Sequence, residues 1–162
     1  MARLSTVFAA LLAASVMVVT PADAQSVANP DEVEEGRAMI AAGRKELVRL
    51  ELRLSDEESA AFWPIYDKYT AATRDAQDRH AALIMRYVDR YDAGDLGDDY
   101  ADELLTDYFT IRQDLLDVRR AYIPKFKAVL PAMKVARFYQ LENKINAEID
   151  AQLAEAIPLI SE

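Results

Sequence analysis

The side chains that most often carry chemistry are scarce in this chain. His80 is the only histidine and cysteine is absent, so the imidazole and thiolate ligands that zinc and copper sites draw on cannot be gathered within one copy. Two His80 rings from two copies would be needed, and a solvated helix residue is the simpler reading of His80. Oxygen donors are plentiful: Asp92, Asp95, Asp98, Asp99, Asp102 and Glu103 crowd one segment, a donor set that suits calcium. The segment lacks the EF-hand spacing of a glycine at the sixth position and a glutamate at the twelfth, and helix capping with dipole complementation explains it without an ion. There is no glycine-rich phosphate loop, nucleophile elbow or histidine-paired nucleophile. No catalytic residue, no cofactor and no metal ligand is therefore expected, and the chain reads as not an enzyme.

Binding chemistry has more to work with. Arg119, Arg120, Lys125, Lys127, Lys134 and Arg137 fall in a stretch with no acidic residue, interleaved with Tyr122, Phe126, Phe138 and Tyr139. In a chain of net charge -9 this forms a local basic patch. It suits acidic, apolar segments of an unfolded partner; equally, the positive charges complement a helix C-terminus and the aromatics are core. Phe62, Trp63 and Pro64 stand in a row and cannot all face one core, so one of them is expected at a surface that meets a partner.

The elements that must position these residues are helices. The chain opens with a different signal: Arg3, an apolar run over residues 7–19, a break at Thr20-Pro21 and then Ala22-Asp23-Ala24. That is the layout of a cleaved signal peptide, residues 1–24, with cleavage after Ala24, and the run is shorter than the roughly 20 residues a membrane span needs. Without cysteine, an exported protein holds its fold by apolar burial alone. The acidic balance argues against nucleic acid.

Residues 25–30 read as a flexible leader, residues 31–158 as one helical domain and residues 159–162 as a tail. A first helix, capped by Asp31, places Met39, Ile40, Leu47, Leu50 and Leu54 at helical spacing. Ser55 to Glu58 has the form of a capping box, opening a second helix along Phe62, Ile65, Tyr66, Tyr69, Ala76, Leu83, Tyr87 and Tyr91, with Gly94 as its terminator. A turn with two capping aspartates leads to a third helix along Leu104, Tyr108, Ile111, Leu115, Val118, Tyr122 and Phe126. Pro131 begins a fourth, along Phe138, Leu141, Ile145, Ile149 and Leu153, which stops before Pro158. Pro64 and Pro124 predict kinks in the two long helices. The result is an all-α chain of four helices. Leu54, Ala60, Phe62, Lys68 and Ala71 recur 76 residues later as Leu130, Ala136, Phe138, Lys144 and Ala147, a suggestive internal echo.

With an export signal, four helices, and the helix entries Leu54-Ser55-Asp56-Glu57-Glu58 and Leu130-Pro131-Ala132-Met133-Lys134, the chain resembles the Spy/CpxP family and its repeated LTxxQ-type motifs. Neither entry keeps the terminal glutamine, and the second lacks the hydroxyl residue. The resemblance implies a thin, curved hairpin of bent helices that pairs as an antiparallel homodimer in the bacterial periplasm. It also implies an ATP-independent chaperone or an envelope-stress adaptor. Chaperone members tend to be basic, whereas this chain is acidic. The expected partners are unfolded envelope proteins or the periplasmic domain of a sensor kinase, with no nucleic acid and no membrane anchor. The expected contact residues are Arg119, Arg120, Lys125, Lys127, Lys134, Arg137, Phe62, Trp63 and Tyr139. The competing reading is a metal-stress protein that binds cations through carboxylates.

Overall fold

The computed structural model describes residues 30–160; the signal segment, its cleavage site, residues 25–29 and the last two residues lie outside the described residues, while Pro30, read as the end of the leader, and Asp31, read as a cap, both lie inside the first helix. Four helices follow one another: α1 (Pro30–Leu52), α2 (Asp56–Ala93), α3 (Asp98–Lys127) and α4 (Ala132–Ala156). There is no strand among the described residues, and no helix there is long and apolar enough to cross a membrane. The chain divides at Arg53 into two compact units.

The first unit contributes α1. This helix stops at Leu52, two residues short of the periodicity read from the sequence, because Arg53 takes a left-handed φ of 48°. A non-glycine residue there costs on the order of 1 kcal/mol. On its own surface Arg49 pairs with Glu46 one turn back, at 2.6 Å.

In the second unit, α2 begins with the expected capping box. Ser55 Oγ accepts from the Glu58 backbone N–H at 3.2 Å, and the Glu58 carboxylate accepts from the Ser55 N–H at 2.8 Å. Two of the four free donors of the first turn are thus satisfied, worth about 1 kcal/mol. The helix ends at Gly94, whose φ of 67° needs a residue without a Cβ penalty. The start of α3 departs from the expected aspartate caps. Gly97 is the N-cap and offers no side-chain bond, while Asp98 and Asp99 sit inside the first turn, where their charge meets the helix dipole. Pro131 is the N-cap of α4 and not its first helical residue. Pro64 and Pro124 lie inside α2 and α3; each lacks an N–H, so the carbonyl four residues back loses its helical donor.

Contacts across the second unit fix the directions. Phe62 meets Phe126, Tyr69 meets Tyr122, Arg79 meets Asp114 and Arg86 meets Asp107, so α2 and α3 run antiparallel. On α4, Phe138 meets Phe126 and Asp150 meets Arg112, which makes α4 antiparallel to α3 as well. Residues 54–160 therefore form an up-down-up arrangement of three helices. Its middle is aliphatic, with Ala76, Leu83, Ile111 and Leu115 buried and Leu104 against them. One end is aromatic: Phe62, Phe126 and Phe138 are 0 % exposed and Tyr69 is 2 %. The internal echo has a spatial counterpart, since the matched residues Phe62 and Phe138 pack edge to face at 5.5 Å. Both helix entries contribute one phenylalanine to the same layer.

Candidate functional site

The basic stretch runs through the α3–α4 junction, beside the aromatic end of the core. Its charges are not equivalent once folded. Lys134, half-buried on α4, donates to the Glu58 carboxylate of the α2 capping box. That carboxylate lies below its ordinary pKa because of the Lys134 bond first and the Ser55 N–H second. The sequence reading of six uncompensated charges is corrected here: the compensating acid comes from 76 residues away and is invisible to local counting. Arg119 is half-buried, and its backbone carbonyl accepts the Tyr139 hydroxyl at 2.8 Å. Arg120, Lys125, Lys127 and Arg137 remain exposed. Lys125 Nζ stands 3.8 Å from the centre of the Tyr122 ring, a cation–π contact that orders the lysine stem while leaving its charge at the surface.

The aromatic candidates also separate. Phe62 is fully buried between the rings of Trp63, Tyr66, Phe126 and Phe138; it is a core residue and offers no surface to a partner. Trp63 is half-buried, edge-on to Phe62 and Tyr66 at 5.1 and 5.4 Å, and Pro64 is the exposed member of the row. Tyr139 is half-buried, with its ring against Phe126 and Phe138. What the structure adds to the patch is Met133, 82 % exposed and one helical turn from Arg137 on α4. A lone methionine after a proline gave no periodic signal in the sequence.

One buried carboxylate lies beneath the patch. Glu142 is 3 % exposed and accepts the Tyr69 hydroxyl at 3.1 Å. Burial raises the Tyr69 phenol, with the Glu142 charge adding to it and Arg119 opposing. Tyr139 is pushed up to about 12 by burial first and Glu142 second. A raised folded pKa stabilises fully below the free tyrosine value near 10 and is lost as pH climbs through the folded value. In a titration followed by phenolate absorbance, Tyr69 and Tyr139 are therefore expected to ionise only with unfolding, at a pH above the free tyrosine value of about 10. Two fewer slow, unfolding-linked tyrosines in Tyr69→Phe/Tyr139→Phe is the check.

His80 is half-buried on α2, its ring 6.1 Å from that of Tyr108. Its pKa is lowered by burial first and by Arg112 second, against a smaller opposing pull from Asp150. Among the described residues no group of three histidines, cysteines or carboxylates is placed to hold a metal ion. The groove between α2 and α3 is lined by Arg79, Leu83, Arg86 and Asp107. Its arginines are already closed onto Asp114 and Asp107 at 2.6 Å, so the groove presents satisfied ion pairs. No protein family, curated protein or solved structure matches this chain. The functional reading rests on its own residues.

Proposed function

We propose that the protein is an exported, non-enzymatic binding protein of the Spy/CpxP type that works in the periplasm as a homodimer and holds unfolded envelope proteins without ATP. The observation that carries the reading is the α3–α4 junction, along which Arg120, Lys125, Lys127, Arg137 and the 82 % exposed Met133 are all exposed. Positive charge attracts acidic segments from a distance. A flexible, polarisable methionine adapts to varied apolar side chains. Both suit partners without a fixed shape. The helix-dipole explanation covers Lys125 and Lys127 in the last turn of α3 but not Arg137 or Met133 within α4. An adaptor that reads one sensor domain uses the same chemistry and differs in binding a single partner.

The test uses Lys125→Glu/Arg137→Glu, because reversing Lys134 would also strip a partner from the α2 cap. Capture of a permanently unfolded acidic client is expected to weaken about tenfold, with wild type weakening in the same direction from low to physiological salt, where charges are screened over roughly 8 Å. Circular dichroism confirms that the variant is folded. Unchanged capture at both salt levels would remove the junction from the mechanism.

A further inference from the structure

Without cysteine, the oxidisable sulfur of this chain is all thioether. Met39, Met85 and Met133 are the methionines among the described residues, and they are 49 %, 60 % and 82 % exposed. Exposure alone ranks Met133 first by a small margin. Charge separates the three further. Helical neighbours stand three and four residues away, and at those positions each methionine has a single charged residue, exposed in every case: Glu35 for Met39, Asp89 for Met85 and Arg137 for Met133. Two of the thioethers sit beside an acid and one beside a base.

The helix backbone adds to the contrast. Met133 lies in the first turn of α4, which has Pro131 as its N-cap, no side-chain cap and no acidic residue. The partial positive charge of the free N–H groups is therefore left uncancelled there. The Glu58 carboxylate that reaches this turn is taken up by the Lys134 ammonium and the Ser55 N–H, so the pair brings no net negative charge. Met39 and Met85 lie well inside α1 and α2, where the dipole has no effect.

We propose that Met133 is an oxidation site, at which an anionic peroxide of the peroxymonocarbonate class converts the thioether to the sulfoxide and loosens the hold of the α3–α4 junction on apolar client segments. The anion forms from hydrogen peroxide and bicarbonate with loss of water. Its terminal peroxide oxygen bonds to sulfur as the O–O bond breaks; sulfur gives up two electrons, and bicarbonate leaves with them. Sulfoxide reductases, drawing two electrons from a thiol pair, restore the thioether. The positive surroundings concentrate the anion where the sulfur is most open. The product replaces a flexible apolar side chain with a polar one, and the fold is spared because Met133 is outside the core. The effect on clients rests on the junction being the client surface; the place of oxidation does not.

The purified protein is treated with limiting hydrogen peroxide, with and without bicarbonate, and the oxygen added at each methionine is read by peptide mass. Peroxide alone is neutral and should follow exposure, favouring Met133 over Met85 by less than about twofold. Bicarbonate supplies the anion and should raise that ratio to about fivefold or more at low salt, with the gain falling at physiological salt and lost in Arg137→Glu. Circular dichroism confirms that treated protein and variants are folded. Oxidised wild type is expected to capture an unfolded client about threefold more weakly, whereas capture by Met133→Leu should not respond to the treatment. Met39 or Met85 oxidised by the anion as readily as Met133 would overturn the site, and capture unmoved by complete oxidation of Met133 would overturn its effect. Absence of capture by untreated protein would count against the junction as a client surface, and the peptide masses would still decide where oxidation falls.

Discussion

Phe138→Ala is expected to lower the unfolding free energy by about 4 kcal/mol, in the range for emptying a buried phenylalanine site. Phe138 is 0 % exposed and is the ring on which the three helices converge. Phe62 and Tyr66 reach it from α2 at 5.5 and 6.0 Å, and Phe126 from α3 at 4.8 Å. Truncation removes a partner from each and leaves a cavity that rigid rings fill poorly. Met133→Ala, on the same helix but exposed, should stay within about 0.5 kcal/mol. Urea unfolding followed by circular dichroism measures both. Equal costs would mean that the aromatic end is not the core of the second unit.

Tyr69→Phe is expected to cost about 1–3 kcal/mol despite removing one oxygen atom, because it takes a donor from a buried carboxylate. Glu142 is nearly without water at 3 % exposure, and the 3.1 Å bond from Tyr69 crosses from α2 to α4. Removing one partner of a buried polar pair costs more than removing both. The double variant Tyr69→Phe/Glu142→Leu should therefore recover most of the loss. Glu142→Leu alone strands the Tyr69 hydroxyl and should resemble the single tyrosine variant. A double-mutant cycle in urea checks this; additive losses would show that the two groups are not coupled.

The helices of the second unit were legible because they had a period and a punctuation mark; in α1 the period misled, since Met39, Ile40 and Leu50 are exposed. Phe62, Tyr66, Tyr69, Ala76, Leu83 and Tyr87 were named from spacing alone and are all buried, and Ser55, Glu58 and Gly94 cap as read. What escaped depended on residues far apart in the chain. Nothing local told that Lys134 would find Glu58, or that Glu142, one acid among 28 acidic residues, would be carried inward to meet Tyr69. Thr73, also missed, is buried because its hydroxyl donates back to the Thr70 carbonyl at 3.0 Å, so it travels as an apolar residue. The surface candidates fared unevenly for a related reason: spacing cannot decide which of Phe62, Trp63 and Pro64 faces outward until neighbouring helices are in place.

The central claim, that the protein holds unfolded chains as a non-catalytic binder, is tested most directly by light scattering from unrelated aggregating clients, acidic and neutral, mixed with the purified protein in the absence of nucleotide. Near-equimolar protein is expected to suppress the scattering of several clients, most strongly for the acidic ones and least at high salt. Undiminished aggregation of every client at a several-fold excess of folded protein would contradict it.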